Sequence, residues 1–200
     1  IDPNGWLVFE HHTYNADPVH TGYWCSSGEI CSKQEFLPTA SQPTVELEAR
    51  IRFRSEGIAG TVGGLFLYSQ KPAQDGSGRQ ASDEIDLELA SNQIELFPDH
   101  VGHHTIQSAY NDFVGGWYDG VTHWHTNPTV PGLDLTQFNT FLIRWELGRV
   151  TWIWRPDEGP EVSLGSNTVA VPDDPMALYL NLWASDELWP LAWHTDMGPE

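Results

Sequence analysis

The chain has 200 residues, an ordinary size for a single domain, and carries a formal net charge of −19 with only nine Lys and Arg residues. Phosphate contact needs clustered Lys and Arg, so this charge excludes nucleic acid and anionic lipid as partners, and it disfavours sulfated or uronic polysaccharides relative to neutral ones. Ten Trp, 18 Gly and 14 Pro without long amphipathic helical patterns indicate strands, turns and ring-lined surfaces.

The first segments in chain order contain both cysteines. Cys25 and Cys31 lie six positions apart, and Ser27 to Phe36 reads as a turn followed by a strand. A secreted protein would favour a disulfide across the Ser27-Gly28 turn, while two free thiols fit the spacing equally well. No run approaches the ~18 apolar residues of a membrane span, and no basic-then-apolar leader opens the chain. The strong acidic excess fits a secreted protein, so we expect a secreted, extracellular location.

Two further strands are predicted before residue 70. Apolar residues alternate with charged ones over Val45–Arg54, which by itself is typical of a solvated strand with ion pairs. Leu65–Tyr68 follows a Gly-rich stretch, and Phe66 and Tyr68 share one face of a strand. The two rings either line an exposed face together or, for Phe66, enter the core.

The segment from Ser82 to Ala90 carries the strongest chemical signal. Glu84, Asp86 and Glu88 alternate with aliphatic residues, so a strand places all three acids on one face. Three aligned like charges disfavour pairing, which makes a purely structural acidic strand the weaker interpretation. The Cα atoms of Glu84 and Glu88 are expected roughly 13 Å apart, and side chains leaning together reach the ~5–5.5 Å carboxyl spacing of retaining glycosidases.

Histidines and aromatic residues dominate the next region. Thr105–Tyr110 predicts a strand, Trp117 lies in a Gly-rich loop, and Trp124 is flanked by His123 and His125. The two histidines face the same way, but without a carboxylate at ligand spacing they are a weak metal site, and a solvated loop is the favoured interpretation. Further on, Phe138–Trp145 and Arg149–Trp154 predict a hairpin.

Several of these segments resemble one family. Glu-Ile-Asp-Leu-Glu at residues 84–88 resembles the Glu-x-Asp-x-Glu signature of glycoside hydrolase family 16, which includes laminarinase-like and lichenase-like endo-β-glucanases. The resemblance implies an all-β fold, a β-jelly-roll sandwich (concanavalin A-like) of two antiparallel sheets with a concave substrate cleft. It also implies that Glu84 is the nucleophile, Asp86 its assistant and Glu88 the acid/base.

The resemblance extends from about residue 27 to residue 190 and supplies candidate sugar-binding residues. Glu48-Ala49-Arg50-Ile51 is similar to a Glu-x-Arg-Ile strand of the cleft, and Tyr179-Leu180-Asn181-Leu182-Trp183 is similar to the Met-Asn-Leu-Trp strand. Ala109 stands where the family commonly has Asn. The candidate sugar-binding residues are Glu48, Arg50, Phe66, Tyr68, Gln107, Trp117, Trp124, Asn181 and Trp183.

Taken together, the sequence predicts one β-sandwich catalytic domain over residues 1–200, with the family's terminal strands trimmed or diverged at both ends. The expected activity is that of a retaining endo-β-glucanase acting on neutral β-1,3 or mixed β-1,3/1,4 glucan as a monomer, with no cofactor required and no assigned metal. Some relatives hold a structural calcium, whose ligands this sequence does not identify. The alternatives are a lectin-like carbohydrate-binding module and a transglycosylase using the same site.

Overall fold

The computed structural model describes residues 3, 5–10, 28–53, 60–91, 94, 102–114 and 121–184. Within these residues the chain forms twelve β-strands. They are β1 (Glu29–Phe36), β2 (Thr44–Ile51), β3 (Thr61–Pro72), β4 (Gln80–Ala90), β5 (Gly102–His104), β6 (Ile106–Phe113), β7 (His123–Thr126), β8 (Thr129–Pro131), β9 (Asn139–Glu146), β10 (Arg149–Arg155), β11 (Val162–Asn167) and β12 (Met176–Ala184).

The strands form two main antiparallel sheets. One has six strands in the order β1-β12-β3-β4-β6-β7, and the other has four in the order β11-β10-β9-β2. Strands β5 and β8 form a separate pair. The all-β class and the two-sheet sandwich predicted from the sequence are confirmed. The described part of the chain holds no helix with the length and apolar character of a membrane span.

The core lies between the two sheets. Alternate residues of β3 and β4, such as Leu67 and Ile85, pack in one apolar cluster with Phe141 and Trp145 of β9. Trp124 of β7 also reaches across and stacks on Trp152 of β10, with ring centroids 5.1 Å apart. Each large apolar side chain buried in this way contributes about 1.5–3 kcal/mol, so the apolar alternation decides which face of each strand is inward.

The predicted hairpin is formed by β9 and β10. Glu146 pairs with Arg149 across the Leu147-Gly148 turn, where Gly148 has a φ of +79°. A positive φ favours glycine, and this turn therefore terminates both strands at a defined register. The buried indole of Trp154 donates to the Asn139 Oδ1 atom at 3.0 Å, so this hairpin belongs to the scaffold.

A buried carboxylate anchors the start of β4 to its surroundings. Asp83 accepts hydrogen bonds from the backbone nitrogens of Asp112 (2.8 Å), Asp173 (3.2 Å) and Asp174 (3.1 Å). Lys71 forms ion pairs with Asp112 and Asp174 beside it. The anchor connects β4, β6 and the segment before β12, and it holds the strand that carries the three acids in place.

Candidate active site

Strand β4 places the three predicted acids together on the outer face of the six-stranded sheet. Ile85 and Leu87, which alternate with them, are buried in the core. Glu84, Asp86 and Glu88 consequently point to the opposite side, which we call the acid-bearing face. The alternation predicted from the sequence is therefore observed in the structure.

The three carboxyl groups line one cavity of about 190 Å³. Phe66 of β3 and the two residues Asn181 and Trp183 of β12 complete its lining. Tyr68 also lies on this face, directly opposite Glu84 in the sheet register. The structure therefore brings four predicted sugar-binding residues to the acids, namely Phe66, Tyr68, Asn181 and Trp183.

Burial keeps protons on this group of acids to unusually high pH. It raises the pKa of Glu84 to about 7, against a smaller opposite effect of its hydrogen bond with Asp86. Burial, together with the charge of Glu84, raises the pKa of Glu88 to about 8. A low-dielectric cavity disfavours the charged form of a carboxyl, and a neighbouring negative charge adds to the effect. Near neutral pH the site therefore holds fewer than three negative charges.

Asp86 is the central member of the row and is the most deeply buried, at 7% exposed. Its pKa is raised well above the ordinary range by burial and by the charges of Glu84 and Glu88. It shares hydrogen bonds with Glu84 and with Ser108, which lies opposite it on β6. Asp86 is thus placed to share a proton with Glu84.

Aromatic rings flank the acids on both sides of β4. On one side Phe66 stacks on Tyr179 with centroids 5.0 Å apart, and Tyr68 meets the same ring edge-on at 6.1 Å. On the other side Tyr110 stacks on His123 at 4.2 Å. Flat apolar faces with polar edges suit sugar rings, whose axial C–H groups form an apolar patch.

Two predicted sugar-binding residues, Glu48 and Arg50, lie on the opposite side of the sandwich. Strand β2 pairs with β9 in the four-stranded sheet and not with β3. Glu48 forms an ion pair with Arg155 at 2.6 Å, and Arg50 forms one with Asp157 at 2.6 Å. Both point outward from the second sheet, so their predicted place in the cleft is wrong, and the solvated ion-paired strand is the correct interpretation of this segment.

Gln107 and Trp124 are also corrected. Gln107 is fully buried on the core face of β6, where its Nε2 atom donates to Thr105 Oγ1 at 2.7 Å. Trp124 packs between the sheets against Trp152. Neither side chain reaches the acid-bearing face. Trp117, the remaining candidate, lies outside the described residues.

Three residues of the acid-bearing face were not predicted as site residues: Ser108, Tyr110 and Tyr179. The sheet register identifies the two residues of β6, because Ala109 is buried opposite Ile85 and its neighbours Ser108 and Tyr110 therefore face outward. Burial and the charges of Asp86 and Glu84 raise the pKa of Tyr110, so its hydroxyl stays protonated beside the acids.

One group in the described part of the chain has the spacing of a metal site. Oxygen atoms of Asp83, Asp173 and Asp174 lie within 4.8 Å of one another. The carboxylate of Asp83 is already occupied by three backbone N–H groups, and Lys71 binds Asp174. These residues serve the anchor described above, and Asp83 points to the opposite face of β4 from its neighbour Glu84. Cys31 is exposed with a free thiol, and Cys25 lies outside the described residues.

Buried carboxyls that titrate near neutral pH, set beside rings that suit sugar faces, are characteristic of glycosidases, which need one acid and one base at the same pH. The fold and the site therefore define a β-sandwich glycoside hydrolase. The family model of the glycosyl hydrolases family 16 matches residues 25–199. The chain belongs to this family, as the Glu-x-Asp-x-Glu resemblance implied.

Solved structures share the fold at low sequence identity. A β-glucanase from Bacillus licheniformis is 18% identical with a TM-score of 0.55, covering 86% of this chain and 65% of its own. A prokaryotic β-1,3-1,4-glucanase (lichenase) from a mouse hindgut metagenome is 15% identical with a TM-score of 0.59, covering 89% and 66%. A kappa-carrageenase from Zobellia galactanivorans is 16% identical with a TM-score of 0.55, covering 90% and 62%.

The chain thus spans less than two thirds of the length of these three structures. A search of curated proteins gave no match. The family model establishes the family of this chain, whereas the choice of substrate is argued from the site.

Proposed function

We propose that this glycoside hydrolase is a retaining endo-β-glucanase that cleaves β-1,3 or mixed β-1,3/1,4 glucan through a covalent glycosyl-enzyme intermediate. The observation that carries the proposal is the shared cavity of Glu84, Asp86 and Glu88. Two carboxyls on one strand, separated by a third, can approach the ~5–5.5 Å that direct attack requires, whereas inversion needs ~6.5–9.5 Å to accommodate a water.

In the first step Glu84 attacks the anomeric carbon while Glu88 donates its proton to the glycosidic oxygen. The bond from the anomeric carbon to that oxygen breaks, a bond to the Glu84 carboxylate forms, and the leaving sugar departs with the proton from Glu88. Burial raises the pKa of both Glu84 and Glu88 into the neutral range, so the pair still holds a proton near pH 7. The assignment of Glu84 as the nucleophile and Glu88 as the acid follows the order of the family's Glu-x-Asp-x-Glu signature.

In the second step the now ionised Glu88 removes a proton from water, and the resulting oxygen attacks the anomeric carbon. The ester bond to Glu84 breaks, which regenerates its carboxylate and releases a sugar with the original anomeric configuration. Asp86 assists both steps, because its hydrogen bond to Glu84 adjusts to the charge that Glu84 loses on glycosylation and regains on hydrolysis. All the groups used belong to the chain itself, and the proposed reaction requires no cofactor.

A neutral glucan is favoured as the substrate by the charges around the cavity. The chain carries a net charge of −19, and the polar groups contributed by β4 are all acids. Sulfate esters would meet this negative field without a cation to bind them among the described residues that line the cavity. The rings of Phe66, Tyr68 and Tyr179 offer stacking surface to the pyranose units of an uncharged chain. Because the polymer is too large to enter a cell, we also propose that the enzyme acts outside it.

The test compares the wild type with Glu84→Gln, Glu88→Gln and the control Glu158→Gln, which alters an exposed acid in a distant turn. Reducing-sugar release is measured from laminarin, lichenan, agarose and kappa-carrageenan, and the first-formed anomer is identified by proton NMR. We expect glucan cleavage with β-anomer product, a fall in kcat of about 10²–10⁴-fold for each site variant, and no change for the control.

Three outcomes would contradict the proposal. An initial α-anomer would show inversion, and full activity in Glu84→Gln would remove the assigned nucleophile. If the wild type binds glucan but cleaves none of the four polymers, and Glu84→Gln alters only the affinity, the lectin-like alternative replaces the enzyme.

A further inference from the structure

Four residues from four neighbouring strands form one row across the acid-bearing face. Glu29 of β1 pairs with Asn181 of β12, which pairs with Gly64 of β3, which pairs with Glu88 of β4. The row therefore leads from an exposed edge strand directly to the assigned acid/base. Only its third position has no side chain.

That missing side chain determines where the Asn181 amide lies. A Cβ atom built on Gly64 would lie 2.6 Å from the Asn181 Oδ1 atom, far closer than a real contact allows. The φ of Gly64 is not in the left-handed region, so the backbone itself does not demand glycine here. The space above Gly64 is instead occupied by the Asn181 carboxamide, which lies over β3 on the way to β4.

The direction of this amide is fixed by Glu29. The Asn181 Nδ2 atom donates to Glu29 Oε2 at 3.3 Å. An ionised carboxylate only accepts hydrogen bonds, so the amide nitrogen must face β1 and the carbonyl oxygen must face the other way. That oxygen is buried and has no hydrogen-bond partner among the described residues, while Asn181 lines the cavity of the three acids.

A buried acceptor without a donor is unfavourable, and a ligand that supplies the donor removes this penalty. We propose that Glu29 and Gly64 are positioning residues that aim the Asn181 carbonyl at a hydroxyl group of the sugar bound beside Glu88. This inference rests on the proposed function and deepens it. The sugar at this point must donate a hydrogen bond, so a unit whose hydroxyl is replaced by an ester or ether is disfavoured there.

The experiment measures kcat and KM on laminarin and lichenan for Glu29→Ala, Gly64→Ala, Asn181→Ala and the double variant Gly64→Ala/Asn181→Ala. Glu35→Ala, which removes an equal side chain and charge from the same strand, is the control for Glu29. Gly63→Ala, whose added methyl points to the core face near Phe53, is the control for Gly64. Loss of one uncharged hydrogen bond is expected to lower kcat/KM about five- to tenfold in each of the three single variants.

The double variant separates positioning from a general effect on the fold. If Gly64 acts through Asn181, Gly64→Ala lowers the activity of the wild type but changes that of Asn181→Ala by less than about twofold. A second readout uses aryl β-laminaribiosides, each of which lacks one hydroxyl of the glucose ring that carries the aryl leaving group. We expect one member to lose about tenfold with the wild type and nothing with Asn181→Ala.

Three results would overturn the inference: Glu29→Ala matching Glu35→Ala, additive losses in the double variant, or equal responses of the wild type and Asn181→Ala to every deoxy substrate. Each of these presupposes glucan cleavage by the wild type and contradicts only the positioning roles. A wild type that neither binds nor cleaves glucan would contradict the proposed function and this inference together.

Discussion

Replacing Glu88 by Gln is predicted to stabilise the protein at alkaline pH while abolishing its activity. Burial and the charge of Glu84 raise the pKa of Glu88 from its ordinary 4.5 to about 8 in the folded protein. The fold therefore binds this proton more tightly than the unfolded chain does. The free energy of unfolding is at its full value below about pH 4.5 and falls as the pH rises through 8, because the folded state resists the ionisation that the unfolded state accepts.

The size of the effect follows from the pKa difference. One pKa unit corresponds to about 1.4 kcal/mol, so ionising Glu88 within the fold costs about 3–5 kcal/mol more than in the unfolded chain. Part of that cost is repulsion from Glu84, and relaxation of the site lowers it further. We therefore expect Glu88→Gln, which resembles the protonated acid, to exceed the wild type in unfolding free energy by about 2–4 kcal/mol at pH 9 and by almost nothing at pH 4.

Urea unfolding followed by Trp fluorescence between pH 4 and pH 9 measures this difference directly. Glu158→Gln again serves as the control and should track the wild type throughout. The reasoning fails if the wild type and Glu88→Gln differ by a constant amount over the whole pH range. It fails equally if Glu88→Gln is the less stable protein at pH 9, since that would mean that the charge on Glu88 is satisfied within the fold.

The other predictions concern the anchor, the corrected residues and the rings. Asp83→Ala should lower the free energy of unfolding by about 3 kcal/mol or more in urea titrations, because three backbone donors lose their acceptor; a loss below 1 kcal/mol would contradict the anchor. Arg50→Ala should leave KM for glucan within about twofold of the wild-type value, since Arg50 pairs with Asp157 on the far side of the sandwich. A large rise in KM would show that Arg50 binds the substrate. Tyr68→Ala should raise KM about fivefold or more through lost ring stacking, whereas Tyr68→Phe should retain most of the affinity.

The parts of the fold that depend on local pattern were predictable from the sequence. The acids of β4 share one face because alternation with aliphatic residues is a property of the strand itself, independent of its neighbours. The β9–β10 hairpin was predictable for the same reason, because its turn residues lie between the two strands that pair. Phe66 and Tyr68 were placed correctly once their strand was paired next to β4.

The wrong prediction for Glu48 and Arg50 arose because alternation within a strand does not show which sheet the strand joins. Alternation in β2 showed that Glu48 and Arg50 share a face, but it did not specify which sheet the strand joins. That choice is made by pairing with β9, where Glu46 meets Arg144, 98 positions later in the chain, and Val45 meets Trp145. Non-local pairing of this kind leaves no trace in the segment itself.

The error at β6 had a different cause. Matching Gln107 to a family position overrode the alternation of the strand, in which Ala109 is the residue small and apolar enough to lie opposite Ile85 in the core. A shift of one residue exchanges the two faces of a strand, so a motif match that ignores this parity selects the wrong side chains. Parity groups Ser108 with Tyr110, and the register of β6 against β4, which the segment itself does not contain, places both beside the acids.

The same reasoning explains why the acid/base is approached by residues so distant in sequence. Strand β12 is inserted between β1 and β3, so Glu29 and Asn181 become neighbours although 152 positions separate them. Strand β3 would then shield Asn181 from Glu88 if residue 64 carried a side chain. Because Gly64 has no side chain, the Asn181 carboxamide of β12 lies over β3 and approaches Glu88 of β4. The property that matters at Gly64 is an absent atom, and only the register of the folded sheet shows which neighbour makes use of it.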